Sequence, residues 1–295
     1  MTEQQPLVSI VIPCYNHAQF VQETIQSVID QDYQNIELII IDDGSKDNSV
    51  EKIQEMISAC EKRFKRFEFR HRPNKGLCAT LNEALEWCEG EYFAPVASDD
   101  LIKPYKTTIQ VDFLLRNPSF IGAFGSAELL SKGRTKQKVK RKYAEYDFND
   151  IFLHKHYLPA CTQLLRLSRV KEINGFKEHL IIEDWSMWLF LTDNGGKLVC
   201  LNEVFASYRR HDSNISADLD IMLRGRLQII NIFKDKELYT LAKANVMLVQ
   251  GRDTLNTRKK GSIKFILKAI VSNPRCILTK SFLSYFVNIF FKNPL

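Results

Sequence analysis

Short apolar runs alternate with stretches of helical periodicity through the first third of the chain. Buried strands are predicted by apolar, largely β-branched runs at 7–12, 36–41, 67–69 and 92–97. Helices are predicted where apolar residues recur every three or four positions, at 20–29, 46–60 and 77–87. This order of elements is typical of a doubly wound α/β sheet.

The second half of the chain continues the pattern less regularly. Further helices are predicted after Pro104 and from Glu183, and further strands at 121–125 and 197–201. The basic stretch 131–142 indicates either a solvated surface loop or an edge hairpin. We therefore predict a mixed, mainly parallel sheet flanked by helices. A catalytic domain is expected over 1–216 and a helical C-terminal extension over 217–295.

Three polar clusters follow predicted strands, at Pro13-Cys14-Tyr15-Asn16, Asp42-Asp43-Gly44-Ser45 and Ala97-Ser98-Asp99-Asp100. In such sheets ligands bind beyond the carboxyl ends of the strands. The adjacent carboxylates of Asp99 and Asp100 repel each other unless a cation or hydrogen-bond donors compensate. A solvated turn or a helix cap is the alternative. Three clusters at one edge favour a binding site.

Glycine-rich phosphate loops are missing from the sequence, which has neither G-x-G-x-x-G after the first strand nor G-x-x-x-x-G-K-[ST]. If a nucleoside diphosphate binds, a cation held by carboxylates is the expected substitute. Mg²⁺ or Mn²⁺ suits such oxygen ligands.

Two further positions are candidates for chemistry. Glu183 and Asp184 precede Trp185 at a predicted helix start, where they either complement the helix dipole or supply a general base. His211 lies among cations and hydrogen-bonding residues, and it is either structural or a contact to metal or phosphate. The other histidines (17, 71, 154, 156 and 179) have no convincing partners in the sequence.

The composition indicates where in the cell the protein is expected. The seven cysteines form no C-x-x-C pair and are expected to be small buried residues in a reducing cytosol. The N-terminus lacks a signal-peptide pattern, and no apolar run is long enough to span a bilayer. The expected location is cytoplasmic.

Taken together, these residues resemble glycosyltransferase family 2, the inverting nucleotide-sugar transferases of GT-A fold. The resemblance covers roughly residues 6 to 215. It is carried by motifs in family order: Val8–Asn16, Ile41–Ser45 with Asp47, Asn74-Lys75-Gly76 with Asn82, Gly90-Glu91-Tyr92, Ser98-Asp99-Asp100 with Pro104, Glu183-Asp184-Trp185, and Arg209-x-His211-x-x-Asn214.

The resemblance implies a sugar donor of the UDP type and a glycan or glycolipid acceptor in bacterial surface polysaccharide assembly. It implies that Pro13, Tyr15 and Asn16 line the nucleoside pocket and that Asp43 accepts the base imide N–H. Catalysis is implied for Asp184 as the base, with Glu183 as its neighbour.

The metal end of this pocket departs from the family pattern. The resemblance implies that Asp99 and Asp100 meet ribose, diphosphate and a Mn²⁺ or Mg²⁺ ion, and that His211 reaches the metal. Many relatives carry an acid where this chain has Ala97. Metal ligation must therefore rest on Asp99 or Asp100, with His211.

The C-terminal region is distinctly basic. From Gly251 onward there are nine Lys or Arg and one Asp, a local net charge of +8 in a chain whose total is +6. Apolar residues recur every four positions between 277 and 291. This pattern predicts either an interfacial helix on anionic lipid at the inner face of the membrane, or a helix docked on the protein. The aromatic residues of this region are spaced as on a buried helix stripe, and the sequence contains no nucleic-acid recognition motif. Both observations argue against nucleic-acid binding.

Two other functions stay open on the sequence alone. A sugar nucleotidyltransferase would have the same fold class, although it normally carries a basic glycine-rich loop near the first strand. A catalytically dead nucleotide-sugar-binding protein is favoured by Ala97.

Overall fold

The computed structural model describes residues 5–131, 134–138, 141–211, 218–255, 259–279, 282–283 and 285. Within them the strands form one ten-stranded sheet. The strands are β1 (Val8–Cys14), β2 (Ile36–Asp42), β3 (Arg66–His71), β4 (Tyr92–Pro95), β5 (Leu101–Ile102), β6 (Phe120–Ser131), β7 (Arg134–Lys138), β8 (Ala144–Tyr146), β9 (Leu164–Arg166) and β10 (Lys197–Arg209).

Helices connect and flank these strands. They are α1 (Val21–Ile29), α2 (Ser49–Gln54), α3 (Ile57–Arg63), α4 (Leu77–Trp87), α5 (Lys106–Arg116), α6 (Phe148–Phe152), α7 (Leu167–Glu172), α8 (Glu183–Asp193), α9 (Leu219–Ile232), α10 (Tyr239–Leu255) and α11 (Lys259–Ser272). Short 3₁₀ helices cover Ala160–Thr162 and Pro274–Leu278.

The strand order is β3-β2-β1-β4-β9-β6-β10-β5, with β7 on β6 and β8 on β10. The pairs β1–β2, β2–β3, β1–β4 and β6–β10 are parallel, whereas β9 runs antiparallel to both β4 and β6. The predicted mixed, mainly parallel sheet is thus confirmed. Because β1, β2 and β4 are parallel neighbours, their carboxyl ends lie at one edge.

Burial explains the apolar runs at the centre of the sheet. Every residue of β2 is buried, and so are all but one of β1. Glu37 and Asp42 are the two buried acids of β2. The Glu37 carboxylate accepts from Ser9 Oγ, from the backbone N–H groups of Glu89 and Gly90, and from Arg66 Nη1 at 2.8 Å. A buried acid is tolerated here because its oxygens are satisfied.

Three elements differ from their predicted extent. The single helix expected at 46–60 is divided into α2 and α3, because the Met56 N–H bonds three residues back to Ile53. Strands β6 and β10 are longer than the predicted 121–125 and 197–201. They pair with each other in parallel, and the pairing continues past several register shifts. Polar residues are thereby included within both strands. The stretch 131–142 contains an edge strand, β7, as in the hairpin alternative.

Contacts divide the chain into two compact units. The first comprises Met1–Asp147, Tyr157–Glu178 and Phe190–His211, and it contains the sheet. The second comprises Phe148–His156, His179–Leu189 and Asp212–Leu295. It therefore includes the helical region beyond 217 and two short segments from within 1–216. The domain boundary at 216 stays a prediction.

Side-chain exposure distinguishes one cysteine from the rest. Six of the seven are buried, whereas Cys78 in the first turn of α4 is half-exposed. In the described part of the chain, no helix is both long and apolar enough to cross a membrane.

Candidate active site

The loops after β1 and β2 are joined by hydrogen bonds at the carboxyl edge of the sheet. The Asn16 N–H donates to Ser45 Oγ at 2.8 Å, and the Lys46 N–H donates to Asn16 Oδ1 at 2.8 Å. Asn16 adopts a left-handed backbone (φ 54°), which its short amide side chain tolerates. Pro13 is half-buried, while Tyr15 is 43% exposed beside it. The residues predicted to line a nucleoside pocket therefore lie together on this edge.

Asp43 is buried and its carboxylate already accepts several hydrogen bonds. The N–H groups of Lys75 and Gly76 donate to it at 2.8 and 2.9 Å, and Arg72 Nη1 contacts Oδ1. These donors fix the carboxylate and compensate its charge. Oδ2 receives only the Gly76 bond among these, so a lone pair remains for a further donor.

The Asp99–Asp100 turn after β4 is held from two sides. From α1, Thr24 Oγ1 donates to the carbonyls of Ser98 and Asp100, both at 2.9 Å. From β10, the Arg209 N–H donates to Asp100 Oδ1 at 2.8 Å, and Arg209 Nε donates to the Asp99 carbonyl at 2.8 Å. Both aspartates are buried.

Asp99 and Asp100 lie in different environments. Burial raises the pKa of Asp100 well above its ordinary value, and the charge of Asp99 adds to this, while the N–H and charge of Arg209 oppose it. Asp99 instead faces imidazoles, with its Oδ2 at 2.8 Å from His211 Nε2. Adjacent carboxylates in sequence thus have different partners.

His17, Asp99 and His211 form a group of possible metal ligands. One ligand atom from each lies within 4.8 Å of the others. The rings of His17 and His211 meet edge to face at 5.6 Å, and Phe20 stacks on His211 at 5.0 Å. Burial lowers the pKa of His17, which favours the neutral imidazole that binds metals. Two imidazoles and a carboxylate fit Mn²⁺ better than Mg²⁺, which prefers oxygen ligands.

The expectation that His17 has no convincing partner is wrong. Its Nδ1 lies 2.7 Å from Ser98 Oγ, in addition to its contact with His211. The signal available in the sequence is its position directly after Pro13–Asn16, in the loop that follows the first strand. Asp100 lies outside this group of ligand atoms, and its role as a ligand stays a prediction.

Glu183 and Asp184 begin α8, in the second unit. The Trp185 N–H donates to Asp184 Oδ1 at 2.5 Å. Burial raises the pKa of Glu183 to about 8, helped by the charge of Asp184. Burial also raises the pKa of Asp184, opposed by the Trp185 N–H and by Arg226. A carboxylate whose pKa is raised by its surroundings is suited to accept a proton near neutral pH.

Aromatic side chains form the wall behind this pair. The indole of Trp185 donates to the Ile151 carbonyl at 3.1 Å, and His154 stacks on it at 4.2 Å. His156 meets Trp188 edge to face at 5.7 Å. His154 and His156, two of the five histidines without predicted partners, thus pack on the tryptophans of α8.

The first comparison with known proteins is a family match. The family described as Glycosyl transferase family 2 matches residues 9–173, more than half of the chain.

Curated relatives agree with this match. An uncharacterized glycosyltransferase of Haemophilus influenzae is 30% identical over 73% of this chain and 69% of its own length. A glycosyltransferase of Bacillus subtilis, TuaG, whose name assigns it to teichuronic acid biosynthesis, is 28% identical over 74% of this chain. A relative from Rickettsia felis is 32% identical over 62% of this chain, but the match spans only 31% of that longer protein.

Solved structures with the same fold are more distant in sequence. Staphylococcus aureus TarS in complex with UDP-GlcNAc superimposes on 95% of this chain with a TM-score of 0.66 and 16% identity. The mannosyltransferase PcManGT of Pyrobaculum calidifontis, in complex with GDP-Man and Mn²⁺, superimposes on 99% with a TM-score of 0.67 and 13% identity. These likenesses confirm the GT-A fold.

Proposed function

Because this chain belongs to glycosyl transferase family 2, we propose that it transfers a sugar from a nucleotide-sugar donor to a hydroxyl group of a glycan or lipid-linked acceptor. The donor is of the UDP-sugar class, and the product contributes to a bacterial surface polysaccharide. The observation that carries the proposal is the grouping of His17, Asp99 and His211 at the sheet edge where Asp43 also lies.

Relatives support the choice of substrates. TarS binds UDP-GlcNAc, and TuaG is named for teichuronic acid biosynthesis. PcManGT binds GDP-Man with Mn²⁺. Donors of both nucleotide classes therefore belong in the first screen.

The nucleotide end of the site rests on residues 13–16 and 43. Tyr15, with its exposed ring, stacks on or borders the base, together with Pro13 and Asn16. Asp43, fixed by Arg72 and two backbone N–H groups, accepts the base imide N–H. Because these donors hold the carboxylate in place, little side-chain entropy is lost on binding.

The diphosphate end rests on Asp99, His17 and His211. A divalent cation bound at these residues would neutralise the negative charge that develops on the departing diphosphate. Asp100 acts with Arg209 to hold the turn that presents Asp99. Ligation by Asp99, His17 and His211 would not need an acid at residue 97, so Ala97 is compatible with the proposed metal site.

Proton transfer falls to Asp184. Its carboxylate takes the proton of the acceptor hydroxyl while that oxygen bonds to the anomeric carbon and the bond to the diphosphate breaks. Attack from the face opposite the leaving group inverts the anomeric configuration. No covalent glycosyl-enzyme is needed.

The acceptor's lipid carrier gives a reason for contact with a membrane. On α11, Leu267 and Val271 are 58% and 86% exposed, and Lys264 and Lys268 are exposed beside them. A groove of about 430 Å³ adjoins them, with Leu223, Leu227 and Met247 in its wall. An apolar face rimmed by lysines suits an anionic lipid surface. We place the protein at the cytoplasmic face of the membrane.

An Asp184→Asn exchange is expected to lower turnover by roughly 10²–10⁴-fold with little loss of donor affinity, since it removes the base but keeps the shape. Release of nucleoside diphosphate from UDP-sugars and GDP-mannose with Mn²⁺ measures this, and Glu172→Gln, an exposed acid on α7, is the matched control.

Unchanged turnover in Asp184→Asn would rule out this base. Failure of the wild type to turn over any donor while still binding one would instead favour the inactive nucleotide-sugar-binding protein.

A further inference from the structure

We propose that Phe20, immediately before α1, is a positioning residue that holds the imidazoles of His17 and His211 in the orientation in which they ligate a divalent cation beside Asp99. The proposal rests on the function proposed above, because it takes these three ligands as the metal site. Three observations within the first unit carry it: the ring contacts of Phe20, the helix face that presents it, and the hydrogen bonds of each imidazole.

The half-buried ring of Phe20 contacts both imidazoles. It stacks on His211, with the ring centroids 5.0 Å apart and the planes inclined by 28°. It meets His17 edge to face, at 5.8 Å and 68°. The two imidazoles meet each other at 5.6 Å, so the three rings form one cluster. Both arrangements are preferred geometries of flat rings, and each restricts how the contacting imidazole can turn.

One face of the first turn of α1 presents Phe20. The Thr24 N–H donates to the Phe20 carbonyl, so Glu23 and Thr24 lie on the same face as Phe20. Thr24 bonds to two carbonyls of the turn after β4, and Glu23 Oε2 accepts from Arg209 Nη2 at 2.6 Å. The Arg209 guanidinium also lies 4.7 Å from the centre of the Phe20 ring. This face therefore contacts both segments that carry the other ligands, the turn after β4 and the end of β10.

Each imidazole also has a hydrogen bond at one ring nitrogen. His17 Nδ1 lies 2.7 Å from Ser98 Oγ, and His211 Nε2 lies 2.8 Å from Asp99 Oδ2. The backbone of His17 is fixed as well, because its carbonyl accepts from the Phe20 N–H at 2.9 Å. A single hydrogen bond locates an imidazole but still allows it to rotate about that bond. The contact with the Phe20 ring removes this rotation.

The side chain of Phe20 has no nitrogen or oxygen, so it acts on the metal only through the imidazoles. Partners that orient ligating histidines commonly change metal affinity by roughly 10–100-fold. Mn²⁺ accepts imidazole nitrogen, whereas Mg²⁺ prefers oxygen ligands. Loss of the Phe20 ring should therefore weaken the binding of Mn²⁺ more than that of Mg²⁺. A ring that only fills space would not distinguish the two ions.

The test is a Mn²⁺ titration of the full chain, followed by electron paramagnetic resonance, with Mg²⁺ affinity taken from displacement of Mn²⁺. Phe20→Leu is expected to weaken Mn²⁺ binding by ~10-fold and Mg²⁺ binding much less. Phe20→Tyr, which keeps the flat ring, should restore most of the affinity. Phe113→Leu is the matched control, because Phe113 is a half-buried ring on α5 that packs against Phe120 at 5.5 Å.

Electron spin-echo spectroscopy of the bound Mn²⁺ gives a second readout, because it detects imidazole nitrogen at the ion. At saturating Mn²⁺, the nitrogen signal should be weaker in Phe20→Leu than in the wild type and unchanged in Phe113→Leu. Thermal unfolding checks that each variant is folded. If Phe20→Leu does not fold, Phe20→Met replaces it, since methionine fills the space with a flexible chain and no ring.

Unchanged Mn²⁺ affinity in the folded variant would overturn the proposal. Equal losses for Mn²⁺ and Mg²⁺, or a wild type that binds no Mn²⁺, would overturn it as well. Neither readout requires sugar transfer. If no donor is turned over, the proposed function fails, while the Mn²⁺ measurements still decide the role of Phe20.

Discussion

Asp99 and Asp100 are adjacent and identical in type, but the structure gives them different partners. Asp99 faces His17 and His211, whereas Asp100 accepts the backbone N–H of Arg209 and is buried with a raised pKa. The sequence predicts a site around this pair, but it contains no signal for which way each carboxylate points. His17 is missed for the same reason, since its partners come from residues 98 and 211.

Substitutions of Asp99 and of Asp100 should differ in their effect on Mn²⁺ affinity. Asp99→Asn and His17→Ala are each expected to weaken Mn²⁺ binding by at least ~10-fold, because each removes a ligand atom. Asp100→Asn should weaken it far less, since the amide oxygen still accepts from Arg209. Mn²⁺ titration followed by electron paramagnetic resonance measures this directly.

Equal losses in Asp99→Asn and Asp100→Asn would mean that both carboxylates bind the ion. His71→Ala is the control, because His71 pairs with Asp42 on a neighbouring strand.

At the scale of elements, the alternation of strands and helices in the first half was predictable, because β1, β2 and β4 are largely apolar on both faces. The prediction of α4 agrees closely with its observed extent, Leu77–Trp87. Beyond residue 120 the sequence did not predict the full lengths of β6 and β10. Their pairing buries polar residues such as Ser126 and Glu128, which interrupt the apolar pattern expected of a strand. Tertiary pairing there overrides the local pattern.

Helix α5 begins with an unusual contact. Lys106 is fully buried, and its Nζ donates to the Gln163 carbonyl at 3.1 Å, next to β9. Burial lowers the pKa of Lys106 to about 7. In the unfolded chain a lysine is protonated up to about pH 10.4, so the folded protein binds fewer protons between these values. The contribution of Lys106 to stability therefore rises with pH through this window and falls as pH drops toward 7.

Lys106→Met is accordingly expected to be more stable than the wild type at pH 7, by about 1–3 kcal/mol after the lost hydrogen bond is counted. The advantage should shrink steadily as the pH rises toward 10. Urea unfolding at several pH values measures the difference, with exposed Lys65→Met as the control. A difference that does not change with pH would contradict a neutral buried lysine.

On the scale of the whole molecule, the charge of the chain is concentrated near its C-terminus, with a local +8 from residue 251 onward. The predicted amphipathic stretch 277–291 falls mostly outside the described residues. Within them, Tyr285 is buried, with its hydroxyl 2.7 Å from Ser262 Oγ of α11. Among the described residues, exposed apolar side chains lie both on α11, at Leu267 and Val271, and within the predicted stretch, at Leu278 and Leu283. The sequence gives the basic, apolar character of this region, but which side chains stay exposed depends on packing.

Vesicle sedimentation tests the membrane proposal. The wild type should bind vesicles that contain anionic phosphatidylglycerol more strongly than purely zwitterionic ones, and salt should weaken this. Leu267→Gln/Val271→Gln should lower the partition coefficient by ~10-fold or more, since two apolar side chains no longer enter the lipid. Leu115→Gln, at a leucine on α5 that is nearly as exposed as Leu267, is the control. Binding that ignores lipid charge would contradict the proposal.

The half-exposed Cys78 gives the molecule a practical use. It lies in α4 two residues after Gly76, whose N–H binds Asp43, while the other six cysteines are buried. Burial raises the pKa of Cys14, Cys60 and Cys88 to about 12, which keeps those thiols unreactive. A maleimide fluorophore should therefore attach selectively at Cys78 in the wild-type protein. Its emission would report nucleotide arrival beside Asp43 without a radioactive donor or a coupled enzyme.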